Sequence, residues 1–429
     1  MTAEDNKISA VSSGIGGEGY LRVKPTQIAW IIVLLPFLFP PNAWLYIGGY
    51  RVLHYSQMVA IVGITAAIAY HFRDFKGAWL PFFCFGVFNF TYVISTFVNR
   101  GNLLSAMLHF VVLTLLCALV IVCINDRKMA VDVLVSIRSI TIFFFAVNLL
   151  LEVFFPSGIS RFVTESGASY WLYGNVNAVI RKILPGIVSS MILDKMIGRL
   201  SKSTVFLWIG IFFQLTVVYF SASTCITMLF VLFWCVFEKK VAKHYKSIYL
   251  IVLFIVAFFE VTIVINSAGG AFQEKLTRVL GKSSNFTGRA YLWTRAVRRT
   301  AQRPLFGYGY LDDETIGMYI GNNSGAHNYY LDIAFQRGMI GVVALLVIIL
   351  LPFIRIRRKN MPKTSYRKSV FHILFGFSCA IYIMFLIEPF FSSEYLILPI
   401  VFSSLAFLNK RNRNLNDYEL MGGKSLYDH

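Results

Sequence analysis

Residues 288–341 read GRAYLWTRAVRRTAQRPLFGYGYLDDETIGMYIGNNSGAHNYYLDIAFQRGMIG. The stretch begins as an arginine-rich amphipathic segment, passes through a glycine-rich return, and ends with His327-Asn328 at the head of a strongly apolar run. Its polarity sets it apart from the flanking chain, which is a succession of apolar runs. From Arg289 to Thr300 the spacing predicts a helix: Leu292, Trp293, Ala296 and Val297 form an apolar stripe, Arg295, Arg298 and Arg299 face elsewhere, and Pro304 closes it.

The chain has 429 residues, 57% hydrophobic and 14% charged. One soluble core of that size cannot hide so much apolar surface. The apolar runs are about 18 to 22 residues long, enough to cross a bilayer, and they do not alternate as barrel strands would. An all-α polytopic membrane protein with about twelve transmembrane helices is therefore predicted. The runs are 28–47, 53–70, 78–97, 103–124, 131–155, 178–197, 204–220, 222–237, 247–266, 327–354, 370–388 and 395–408. Pro36, Pro40 and Pro41 predict a broken or tilted first span. The first 27 residues are polar with no apolar centre, so no cleavable signal peptide is expected.

Charge orients the spans. Lys and Arg gather in alternate connections, among them Arg127-Lys128, Lys239-Lys240 and Arg355 to Lys368, while the intervening short connections carry little beyond Arg51, Arg100 and Arg161. The positive-inside bias places the first set, and both termini, in the cytoplasm. The layout is then a cytoplasmic tail 1–27, spans one to nine over 28–266, a large extracytoplasmic loop 267–326, spans ten to twelve over 327–408, and a cytoplasmic tail 409–429. The tail after Asn409 is polar enough to be disordered. The net charge of +19 is mostly membrane-flanking, so no nucleic acid is expected as a partner. All six cysteines (Cys84, Cys117, Cys123, Cys225, Cys235, Cys379) fall in apolar runs without metal-pair spacing and read as packing residues.

The outer loop is basic against the bias, with Lys275, Arg278, Lys282, Arg289, Arg295, Arg298, Arg299 and Arg303. Two readings stand side by side: a face solvated by water or anionic lipid headgroups, or a site for an anionic substrate. Arginine suits the second, because its fork of donors matches phosphate oxygens and keeps its proton. Free backbone N–H groups where Gly288-Arg289 opens the segment would add to it. His327 is the one histidine of this stretch and precedes a helix, whose dipole favours the neutral, proton-accepting imidazole; equally, it simply ends a loop among Asn323, Ser324 and Asn328.

A longer pattern decides between them. Gly288-Arg289, Trp293, Pro304-Leu305-Phe306-Gly307-Tyr308-Gly309, and His327-Asn328 followed after nine residues by Gly338-Met339-Ile340-Gly341 occur in that order. This resembles the O-antigen ligase/polymerase family of bacterial surface-polysaccharide assembly, including the Wzy-type polymerases. Gly174-Asn175-Val176-Asn177 is similar to that family's Gly-Asn-Pro-Asn element, with Val in place of Pro. The resemblance implies a membrane-embedded, GT-C-like, inverting glycosyltransferase of the bacterial inner membrane, with its site on the extracytoplasmic side and no metal or other cofactor. The donor it implies is a glycan on undecaprenyl pyrophosphate. The acceptor would be a second lipid-linked glycan or lipid A-core, and a chain-length regulator protein is a further partner. Arg289 would bind the pyrophosphate and His327 would serve as general base.

One departure concerns a second phosphate-binding arginine, which in the family often follows the turn that here is Ser221-Ala222-Ser223; this chain has Thr224. Arg181, beside Lys182 in the sixth span, is the candidate replacement, although it can also snorkel or pair with Glu152. Asn328, Arg295, Asn175, Asn177 and Glu388 complete the candidate substrate-binding set. Glu388 and Glu394 bracket the last outer turn, where they orient sugar hydroxyls or His327 or merely face the interface; Asp332 pairs with Arg337 or a backbone donor, or touches substrate. His54, His71, His109, His244 and His372 read as packing or interfacial residues. A lipid-linked oligosaccharide flippase shares the span count and buried charge, but has no need of the large loop or of a histidine before a helix.

Overall fold

The structure, a computed structural model, describes residues 24–40, 50–70, 78–125, 127–159, 169–174, 176–218, 224–232, 244–265, 289–323, 325–355, 365–388, 396–397 and 399–400. The expected N-terminal tail up to residue 23, the expected C-terminal tail, Arg161, Asn175, the turn at 221–223, the loop stretch 266–288 with Gly288, Glu394, and the twelfth span beyond residue 400 lie outside the described residues.

Among the described residues the fold is helical. The elements are α1 Pro25–Leu38, α2 Tyr50–Tyr70, α3 Trp79–Val98, α4 Leu103–Asn125, α5 Arg127–Phe154, α6 Val176–Ile197, α7 Lys202–Phe213, α8 Tyr245–Phe259, α9 Arg289–Gln302, α10 Asp313–Ile320, α11 Tyr329–Arg355 and α12 Ser365–Met384. α7 and α8 continue into π turns at Gln214–Val218 and Glu260–Val264. Residues 224–232 are also helical. Among the described residues five helices are long and apolar enough to cross a membrane: Trp79–Val98, Leu103–Cys123, Met129–Phe154, Tyr245–Val264 and Tyr329–Arg355. Pro25–Leu38, Tyr55–Tyr70, Lys202–Val217 and Val370–Met384 are shorter apolar helices. The protein is thus a multi-pass α-helical membrane protein, with the expected runs falling on helices as far as the described residues reach. α1 stops at Leu38, ahead of Pro40, because the residue before a proline is driven out of the helical region.

The chain divides into two compact units. The first holds residues 1–69, 123–225 and 364–373. In it α1 is tied to α5 by polar contacts inside an apolar surround: Thr26 Oγ1 and Gln27 Nε2 donate to the Asp132 carboxylate at 2.8 and 3.1 Å, and Ser136 Oγ donates to Gln27 O at 3.0 Å. α6 and α7 approach α5 closely where they carry glycine. A Cβ on Gly186 would lie 2.4 Å from Thr141, and one on Gly210 would lie 2.6 Å from Phe145.

The second unit holds residues 70–122, 226–363 and 374–429. Here α11 packs on α3, and α9 on both α11 and α10. The apolar stripe of α9 does what its spacing predicts. Leu292, Trp293 and Ala296 are buried in a cluster with Ile263, Val264, Ile316, Ile320, Leu331 and Phe335, and Val297 packs against its edge. Trp293 meets Phe259 edge-on at 6.1 Å. Burying such a ring stabilises by on the order of 3 kcal/mol, which is what fixes a polar, arginine-rich helix in place.

Candidate active site

The site is built on a broken helix. Gly338 interrupts α11 with φ 63° and ψ −163°, a conformation that glycine alone adopts without strain. In an unbroken helix Met339 and Ile340 would donate to the carbonyls of Phe335 and Gln336. Instead the turn 304–309 is inserted. Tyr308 N–H and Gly309 N–H donate to Phe335 O and Gln336 O at 3.0 and 2.8 Å, while Met339 N–H and Ile340 N–H donate to Pro304 O and Leu305 O at 2.8 and 3.3 Å. Four backbone groups freed by the break are thereby satisfied by one tight turn, as burial requires.

The fit leaves no room for side chains on either strand of the contact. A Cβ on Gly338 would lie 2.4 Å from Leu305 O, and one on Gly307 would lie 2.5 Å from Phe335 O. Gly309 is as close to α3, 2.6 Å from Thr96 Cα. Around the turn, Asn99 Nδ2 donates to Gly307 O at 2.9 Å, Asn99 Oδ1 accepts from Arg303, and Tyr310 N–H donates to Thr96 Oγ1 at 2.9 Å. Tyr308 stacks on Phe335 at 4.9 Å. Arg337, just before the break, is buried: it donates to Phe88 O at 3.0 Å and lies over the rings of Phe88 and Tyr92 at 4.3 and 4.7 Å.

The other end of α11 carries the histidine. The helix starts at Tyr329, not at His327. Asn328 is its cap, with Oδ1 accepting from Leu331 N–H at 2.9 Å. His327 sits one position earlier, half-buried, at φ 52°. That left-handed conformation costs a non-glycine residue about 1 kcal/mol or more, so the surroundings hold it there. Its Nε2 lies 3.4 Å from Asn322 Nδ2. Asp332 reaches back to accept from Ala326 N–H at 2.8 Å; its partner is a backbone donor, one of the alternatives the sequence left open.

Arg289 arrives from α9. Its Nη1 donates to Ile387 O at 2.6 Å and its Nη2 lies 3.7 Å from Glu388 Oε1. Burial pulls its pKa below the usual guanidinium range and the Glu388 carboxylate pushes it back up; an arginine so placed still keeps its proton throughout the physiological range.

The unwound end of α12 joins the two motifs. Three successive carbonyls accept from them: Phe385 O from Tyr329 N–H at 2.8 Å, Leu386 O from Asn328 Nδ2 at 3.3 Å, and Ile387 O from Arg289. Arg289, Glu388, Asn328 and, by chain connection, His327 are therefore assembled around one turn. Asn328 Nδ2 also donates to Glu260 Oε1, half-buried in the π turn that continues α8. Glu260 did not stand out in the sequence. The signal that could have found it is a lone carboxylate inside an apolar run, which is costly unless used.

Other candidates fall elsewhere. The fork of Arg295 is taken up by Tyr319 O at 3.2 Å, Met318 O at 2.9 Å and the Tyr291 hydroxyl at 2.6 Å, so it closes the C-terminal end of α10. Arg181 and Asn177 lie on α6 in the first unit, Arg181 half-buried and Lys182 exposed. In that unit Glu152 Oε1 accepts from Asn148 Nδ2 and from Gln214 Nε2 of the π turn, both at 2.8 Å. Among the described residues no three His, Cys, Asp or Glu side chains gather as a metal-ligand set.

Fold and site together define a multi-pass helical membrane protein whose candidate site joins an arginine-bearing loop helix to a broken span. Residues 203–346 match the family model described as O-antigen ligase. Over 133 residues the chain is 26% identical to the "Exopolysaccharide production protein ExoQ" of Rhizobium meliloti (strain 1021), a match covering 28% of this chain and 30% of that protein. The region matched to that family model takes in Arg289, Trp293, the 304–309 turn, His327, Asn328, Gly338 and Gly341.

Proposed function

We propose that this protein is an inverting membrane glycosyltransferase that extends surface polysaccharide from undecaprenyl-pyrophosphate-linked repeat units. The observation that carries the reading is that Arg289, Asn328 and Tyr329, the last two directly following His327 in the chain, are held on the consecutive carbonyls of Ile387, Leu386 and Phe385. In the step proposed, an acceptor hydroxyl loses its proton to His327. Its oxygen attacks the anomeric carbon of the donor sugar from the face opposite the phosphate. The carbon–oxygen bond to the pyrophosphate breaks, and its electron pair leaves on a phosphate oxygen next to Arg289. A positioned base contributes about 10² to 10⁴ in rate to such a step, and a guanidinium fork stabilises the departing diphosphate. Arg181 on α6 is the proposed second contact to the diphosphate, with Asn177 and Asn175 nearby in sequence; the fork of Arg295 is held by the end of α10.

Polymerisation is preferred to ligation because the curated relative is named for exopolysaccharide production. Transfer to lipid A-core is the second reading, favoured by the description of the matching family model. The test is reconstitution of the purified protein with undecaprenyl-pyrophosphate-linked repeat units from the producing strain, in EDTA. A ladder of lipid-linked polymers is the expected product. Transfer only when lipid A-core is added would mean ligation, and dependence on a divalent ion would overturn the metal-free mechanism.

A further inference from the structure

His327 is held in its left-handed conformation from both sides, and each side ends on a carboxylate, Asp332 buried and Glu260 half-buried. On the N-terminal side Asp332 Oδ1 accepts from Ala326 N–H at 2.8 Å. Gly325 makes this possible: at φ 75° its missing Cβ would lie 2.7 Å from that same oxygen. On the C-terminal side the amide of Asn328 is fully engaged. Oδ1 caps α11 at Leu331 N–H, while Nδ2 donates to Leu386 O and to Glu260 Oε1. Asp332 is buried at 4% exposure, and Glu260 is half-buried within the π turn of an otherwise apolar helix. A π turn inserts one residue and rotates the register after it, and such turns recur at functional sites. Nothing else in that helix gives a reason for a carboxylate.

We infer that Glu260 and Asp332 are positioning residues that set the backbone and direction of the His327 imidazole, Glu260 acting through the Asn328 amide. The inference rests on the proposed role of His327 as base. It explains why an asparagine follows the histidine. An aspartate at 328 would set a carboxylate against Glu260, and an alanine would lose the cap, the Leu386 contact and the Glu260 contact together. Because Glu260 is used as an acceptor, a glutamine there can replace it, its carbonyl taking the same N–H.

The test combines three readouts on membranes and purified protein: polysaccharide output in the gene-deleted strain, stabilisation of the protein by undecaprenyl pyrophosphate, and the rate at which diethyl pyrocarbonate modifies His327, read by mass spectrometry. Glu260→Ala is expected to keep the stabilisation, to change the His327 modification rate several-fold, and to lower output by about tenfold or more, as misplacement of a reacting group does. Glu260→Gln is expected to restore most of the output. Asn328→Asp is expected to be as poor as Glu260→Ala, and adding Glu260→Gln to it to recover part of the loss, since the amide can then donate to the aspartate; this pair carries the test if Glu260→Ala does not accumulate. Wild-type output and His327 reactivity in a folded Glu260→Ala protein would overturn the inference, as would a Glu260→Gln protein no better than Glu260→Ala. A shifted His327 reactivity in Glu260→Ala together with a fully active His327→Gln protein would leave the positioning intact and remove the base role instead.

Discussion

Arg289 shows how much a single side chain carries here. It is the first residue of α9, so the burial of Trp293 one turn later fixes where its guanidinium sits. In this structure its fork is occupied by a carbonyl and a carboxylate, Ile387 O and Glu388, the same oxygen chemistry that a diphosphate would offer in exchange. A lysine at 289 would keep the charge and lose the two-pronged geometry. Charge-assisted hydrogen bonds contribute about 1.5 to 3 kcal/mol each, so Arg289→Lys should lower glycan transfer by roughly 10- to 100-fold. Stabilisation of the protein by undecaprenyl pyrophosphate should weaken in parallel, measured as the shift in melting temperature. A lysine variant with unchanged transfer would show that only charge is needed at 289.

At the scale of elements, the break in α11 explains the motif spacing. Gly338 and the Pro304–Gly309 turn are two halves of one joint, because each supplies the hydrogen-bond partners that the other lacks. Gly338→Ala combines a strained φ, costing about 1 to 3 kcal/mol, with a Cβ forced to 2.4 Å from Leu305 O, and should sharply lower the amount of folded protein in the membrane. Gly86→Ala in α3 is the control: its Cβ meets nothing within 4 Å, so protein level and output should stay at wild type. The glycines of the joint were legible in the sequence as a spaced pattern, and so was α9, whose helical period and closing Pro304 are local signals. The break itself was not, since the atoms that satisfy it lie in a turn remote along the chain and no local pattern records them. Glu260 escaped for a related reason: its meaning comes from Asn328, and alone it is one acid near the end of an apolar run. The contact between the fork of Arg295 and the end of α10 was not legible either, because nothing local shows where α10 ends.

For the whole molecule, the alternation of Lys and Arg among the short connections predicts that the 289–326 region lies outside the cytoplasm, which is where lipid-linked glycans are polymerised in the proposed reaction. Glu314 is exposed on α10, so a cysteine placed there should react with a membrane-impermeant maleimide in cells whose outer membrane alone is permeabilised. Reaction that required inner-membrane lysis would reverse the topology. The five described native cysteines lie on apolar helices and set the background for that measurement. The apolar frame was readable from composition and run length, whereas its division into two units depends on which helices pack together. The central claim is that His327, set before the capped start of α11, takes the acceptor's proton. The direct measurement is transfer by His327→Gln protein that is present at wild-type level and still stabilised by undecaprenyl pyrophosphate. The account predicts a loss of about 10² or more, equal within error to that of His327→Ala, because glutamine keeps a hydrogen bond and loses the basicity. Full transfer by His327→Gln would contradict it and would leave His327 as a residue that only shapes the loop.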